Sequence, residues 1–139
     1  MSGYPRANNL AAYQTVATHG GVAASDPHGL ILMLLDGALE RIAAARGYMA
    51  NSAIAEKGQL IGRAVAIVDE LRISLDLSKG GELSQNLGAL YDYIGRQLMR
   101  ANAENRLDVL DEVTALLQEI RSAWIAIPQE ARAVRAVFK

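Results

Sequence analysis

Cysteine is absent from the chain, and with it any disulfide framework, thiol nucleophile or thiolate metal site. The missing disulfides fit a reducing cytoplasm. Only three prolines are present, none of them between residues 27 and 128. Neither sign of charge prevails: 14 Lys and Arg stand against 15 Asp and Glu, for a net charge of −1, and the basic residues are scattered among acids. Phosphate binding needs a clustered basic face, so nucleic acid is excluded as the main partner. Every apolar run falls far short of the ~18–20 residues that a membrane span needs. The start, Met1-Ser2-Gly3-Tyr4-Pro5, has no apolar signal-peptide core. A soluble, cytoplasmic protein without membrane insertion is therefore expected. No stretch shows the period-two alternation of a half-buried strand.

What the chain has is apolar helix. Its 139 residues suit one domain, and an apolar content of 51% supplies a core. The rest is organised around Asp26-Pro27-His28-Gly29 and the run Leu30-Ile31-Leu32-Met33-Leu34-Leu35. Asp26 is placed as an N-cap, and Pro27 suits the first helical position, where a missing N–H costs nothing. Six consecutive apolar residues go right round a helix, so no side of this segment faces water comfortably. A bundle helix turns only one side to the core. The surplus calls for an exchangeable cover, either the chain's own N-terminal segment or a partner's apolar helix.

In order along the chain, residues 1–9 read as loose. Residues 10–18 could supply about two helical turns, with Tyr13, Val16 and Ala17 on one side, ended by Gly20-Gly21. A first long helix is expected from about Pro27 to Met49, with Ile31, Leu35, Ala38, Ile42, Ala45 and Met49 as its seam. A second should cover roughly 53–75, with the stripe Ile54, Ile61, Ala64, Val68, Leu71 and Leu75. Residues 76–81 read as a loop because paired glycines end helices. A third helix starts near Glu82, carries Leu83, Leu87, Leu90, Ile94, Leu98 and Ala101, and fades at residues 101–103. A fourth runs from about Leu107 to Ile127 on Leu110, Val113, Leu117, Ile120, Trp124 and Ile127, and Pro128 stops it. The fold class is all-α: an antiparallel up-down-up-down four-helix bundle over 26–127, a short N-terminal helix within 1–25 as lid, and a mobile C-terminal tail at 128–139.

No catalytic constellation is found, and the chain is not expected to be an enzyme. A di-metal bundle would need inward Glu residues and Glu-x-x-His pairs, and neither His19 nor His28 has a Glu three positions before it. No metal and no cofactor are expected. His28 reads as a capping-turn histidine, partly exposed. Tyr91 and Tyr93 point about 200° apart on a helix, so both cannot enter one core. One is a core residue, and the other lies at the surface or lines a binding groove. Trp124 reads as core, while Asn86 and Asp92 read as exposed.

These residues resemble a known family. Ala12-Tyr13-Gln14, the Asp26-Pro27-His28 cap with Leu30 to Leu39, Ile73-Ser74-Leu75-Asp76, Gly80-Gly81-Glu82-Leu83-Ser84-Gln85-Asn86-Leu87, Leu90-Tyr91-Asp92-Tyr93, Arg100-Ala101-Asn102 and Arg121-Ser122-Ala123-Trp124 are similar to segments of the FliS flagellin chaperones, in order and with unbroken spacing. Leu35 departs from the tyrosine usual in that family. The resemblance implies a cytoplasmic chaperone of flagellar type III export. Such a protein binds the disordered C-terminal segment of flagellin, prevents premature polymerisation and delivers it to a component of the export gate. It also implies an N-terminal segment that covers part of the binding surface when no client is present. The expected partner-binding residues are Leu30, Met33 and Leu34 on the first helix and Leu87, Tyr91 and Tyr93 on the third, with Tyr13 as lid. The free protein is expected to be largely monomeric. The alternative is a non-catalytic bundle whose surplus apolar face is a homodimer interface.

Overall fold

Four helices carry the chain in a computed structural model that describes residues 26–75 and 77–127. They are α1 (Pro27–Ala50), α2 (Ile54–Ile73), α3 (Leu77–Glu104) and α4 (Leu107–Ile125). The expected lid at 10–18 and the tail beyond 128 lie outside the described residues. Each helix packs on its neighbour in sequence, α1 and α2 most extensively, and α4 closes the ring against α1. Helices α1 and α3 therefore sit across a diagonal of the up-down-up-down bundle.

The turns explain why the helices fold back so sharply. Asp26 caps α1, accepting a 3.0 Å hydrogen bond from the His28 N–H, with Pro27 in the first turn. At the other end Ser52 adopts φ 60°, and the Ser52 and Ala53 N–H groups bond back to the Met49 and Tyr48 carbonyls at 3.1 and 2.9 Å. That pair of bonds is the Schellman closure, built here on serine where glycine is usual. Asn105 does the same for α3 at φ 53°, sending the Arg106 N–H to the Ala101 carbonyl at 3.1 Å. Residues 77–80, expected to be loop, are helical, and α3 is broken at Gly81 (φ 58°, ψ −139°). Only glycine adopts that backbone freely, so the regular part of α3 begins at Glu82, as expected.

The α1 seam is buried throughout. So are Ile61, Ala64, Val68 and Leu71 of α2, Ile94, Leu98 and Ala101 of α3, and Leu110, Val113, Leu117 and Trp124 of α4. Two expected seam residues lie outside the core: Ile54 is 52% exposed and Leu83 61% exposed. Each belongs to the first regular turn of its helix.

His28 corrects a second expectation, for it is buried. Its ring stacks on Trp124 with centroids 5.1 Å apart and planes 10° from parallel. Its Nε2–H donates to the Trp124 carbonyl at 2.8 Å, and the Trp124 indole Nε1–H donates to the His28 carbonyl at 3.0 Å. The reciprocal pair ties the start of α1 to the end of α4. Two further links follow along that seam, Arg121 to Asp36 at 2.5 Å and Arg46 to Asp111 at 2.7 and 3.1 Å. The Arg46 guanidinium holds the Asp111 carboxyl below its usual range. Half-exposed ion pairs contribute little energy, so these two chiefly set the register of α1 on α4. At the opposite end, the buried Lys57 donates from Nζ to the Asn102 carbonyl at 2.8 Å, placing a cation on the orphan carbonyls of α3.

Ser84 is fully buried, and its hydroxyl has no hydrogen-bond partner among the described residues. Ser84→Ala removes an unsatisfied hydroxyl and improves helix propensity, so stability should rise by about 1 kcal/mol and the melting temperature by roughly 3–5 °C. A thermal melt by circular dichroism checks this. His28→Ala should instead cost about 2–3 kcal/mol in a urea titration, since it deletes both the stacked ring and the Nε2–H bond.

Candidate functional site

A seam of a bundle can be closed by apolar packing or by polar cross-links. Between α1 and α4 the three links above run nearly the full length of the seam. Between α3 and α4, Glu112 accepts from the Tyr93 hydroxyl at 2.7 Å and from the Gln97 amide at 3.3 Å. The Glu112 contact also raises the Tyr93 phenol above its ordinary pKa. Between α2 and α3, Lys57 holds one end, and an open groove of about 180 Å3 lies along the seam.

Val65, Val68, Asp69 and Arg72 form the α2 wall of this groove, and Tyr91, Asp92, Gly95, Arg96 and Met99 form the α3 wall. Tyr91, Gly95 and Met99 follow each other at four-residue steps, so they make one row along the flank of α3 that faces α2. Met99 is 63% exposed. Gly95 has open space where a Cβ would stand, and so does Gly62 on α2. The charges belong to the rims, where each pairs within its own helix: Asp69 with Arg72 at 2.8 Å, and Asp92 with Arg96. The floor is apolar, apart from one phenol. Tyr91 is 4% exposed, and burial pushes its pKa up to about 12.

The residues singled out from the sequence are dispersed by the fold. Tyr91 lines the groove. Tyr93, on the opposite flank of α3, is engaged by Glu112. Leu87 is half-buried against the core. On α1, Leu34 is buried in the core, Met33 is half-buried and Leu30 is 47% exposed. Because α1 and α3 are diagonal, these two groups do not line one groove. Tyr13 lies outside the described residues.

Val65, Gly95, Arg96 and Met99 were not anticipated, because none sits on an apolar seam. The signal that could have found them is the glycine four residues after Tyr91, followed by methionine four later on the same flank. Among the described residues no cluster of side chains could hold a metal ion, and no helix is long and apolar enough to cross a membrane. The arrangement offers no nucleophile with a base beside it.

Comparison with known proteins identifies the family. The family model described as flagellar protein FliS matches residues 7–131. A flagellar secretion chaperone FliSB of Pseudomonas aeruginosa is 48% identical over 115 residues, covering 83% of this chain and 91% of the relative. The flagellar secretion chaperones FliS of Vibrio cholerae and Salmonella typhimurium are 37% and 38% identical, covering 88% and 90% of this chain and 90% and 93% of their own lengths. The chain belongs to the FliS family of flagellar proteins.

Proposed function

We propose that this chain is a cytoplasmic chaperone of flagellar export that binds the disordered C-terminal segment of flagellin. It keeps that segment from polymerising early and hands it to a component of the export gate, and it is a monomer when free. Membership in the FliS family supports the chaperone role. The observation that supports the binding site is the groove between α2 and α3, a seam with one described polar link, Lys57 to the Asn102 carbonyl, at its end.

The energetics suit a carrier. Each large aliphatic side chain that the client buries on Val65, Val68 and Met99 contributes ~1.5–3 kcal/mol. Ordering a disordered segment costs ~2–5 kcal/mol or more. A groove that accepts two or three anchors therefore gives weak binding by itself. A long client gains more by continuing past it, and Leu30 with the neighbouring Met33 on α1 is the candidate second contact. Binding built from several modest contacts can be released stepwise at an export gate. Amphipathic or apolar client segments laid between helices are the recognition mode this surface fits.

Gly95→Leu tests the groove directly. An added Cβ at Gly95 meets nothing within 4 Å, and leaving glycine improves the helix, so the melting temperature should hold or rise. The leucine side chain fills the space a client would occupy. Affinity for a C-terminal flagellin segment, measured by titration calorimetry, should fall by about tenfold or more, equivalent to at least ~1.4 kcal/mol. An unchanged affinity in a well-folded variant would remove the groove from the proposal.

A further inference from the structure

A single exposed apolar side chain is ordinary, and several gathered at one place are not. Seven large apolar residues are exposed among the described ones, and four of them stand at one end of the bundle. Leu30 lies in the first turn of α1, Ile73 at the last residue of α2, Leu83 at the start of the regular part of α3 and Ile125 at the last residue of α4, so each helix brings one. The opposite end shows Tyr48 and Ile54, and Met99 belongs to the groove. Charge at the first end is unbalanced as well. Its described cations are already engaged, Arg72 by Asp69 and Arg121 by Asp36, and the exposed Glu70 and Glu82 pair with no described residue. The connecting residues 76–81 add one acid and one base.

The chain leaves α4 at this same end, and residues 128–139 follow. Their sequence carries the signals of a separate short helix: Pro128 for the first position, Glu130 for the first turn, and Arg135 and Lys139 towards the end. Ala131, Val134 and Phe138 recur at steps of three and four, the spacing of one helix side, and Phe138 is the only phenylalanine of the chain. Three cations, Arg132, Arg135 and Lys139, stand against one acid. So short a helix is marginal in water unless it docks. Twelve helical residues span about 18 Å. Neighbouring bundle axes lie ~8–10 Å apart, so such a helix reaches from α4 over the end of α3 to α2. Residues 1–25 join the bundle at the same end, but with one arginine and no acid they match Glu70 and Glu82 less well. The α1 side of the end attracts cations less, because Asp26 is spent on its cap and Asp36 on Arg121.

We propose that residues 129–139 dock on this end of their own bundle as an amphipathic helix, in place of the mobile tail expected from the sequence alone. The segment passes Ile125, lays Val134 and Phe138 over Leu83 and Ile73, and turns its cations towards Glu82 and Glu70. It then stands beside the α2–α3 groove, at the end marked by Arg72 and Tyr91. The inference does not depend on which client the groove takes.

The test is hydrogen exchange of the full chain without a client, read by mass spectrometry at two protein concentrations. Amides of residues 129–139 should exchange about tenfold or more slowly than an unstructured chain, equally at both concentrations. Phe138→Ser, which lies outside the four helices, and Leu83→Ser, at an exposed position, should each abolish that protection and leave the exchange of α1 to α4 as it was. Ile54→Ser, at the opposite end, should leave the protection in place. Free exchange of residues 129–139 in the unaltered protein overturns the inference, and so does protection that survives Phe138→Ser. Protection that appears only at the higher concentration gives the patch to a second copy. Protection of residues 10–18 in place of 129–139, lost in Leu83→Ser, gives it to the N-terminal segment. Either result overturns the assignment to residues 129–139.

Discussion

The rest of the structure depends on how α1 is held against α4. The two helices meet only by closing the ring, with the whole chain between them, so nothing local fixes their register. A stacked imidazole and indole, exchanging hydrogen bonds with each other's backbone carbonyls, supply that register at one end. Asp36–Arg121 and Arg46–Asp111 carry it towards the other. With α4 placed, Glu112 can reach Tyr93 and Gln97, and α3 is held on its α4 flank. The α2 flank of α3 adds to its packing one polar tie among the described residues, Lys57 to the Asn102 carbonyl.

The same constraint settles where the surplus apolar surface of α1 goes. Six apolar residues in a row cannot all enter a narrow seam, yet α1 is flanked by both α2 and α4, which widens its buried arc. Ile31, Leu34 and Leu35 are buried, Leu32 and Met33 half-buried, and only Leu30 faces water to any large extent. The excess is real but smaller than the run suggests. The groove proposed for the client lies instead between α2 and α3.

The helices and their core stripes were legible because they rest on local periodicity, which the chain displays without a fault in α1 and α4. Prolines 27 and 128 bracketed the helical region for the same local reason. That Tyr91 and Tyr93 diverge followed from helix geometry alone. What could not be read was everything set by pairing across the bundle. His28 is buried because of a tryptophan 96 positions away. Ile54 and Leu83 carry the right period and are exposed all the same, in the first regular turns of their helices. The groove residues Val65, Gly95 and Met99 fall on helix flanks that have no meaning until α2 and α3 are laid side by side. Leu30 and Met33 belong to α1 and Tyr91 to α3, and only the diagonal placement of those helices shows that they lie apart.

The methionines offer the most direct test of where the client sits. Met99 stands on the groove wall, Met33 is half-buried on α1 and Met49 is core. In methyl-13C-methionine spectra recorded while a C-terminal flagellin segment is added, the Met99 resonance should move first and furthest, and Met49 should hold. A bound state in which Met33 shifts and Met99 stays in place would put the client on α1 and contradict the assignment of the α2–α3 groove.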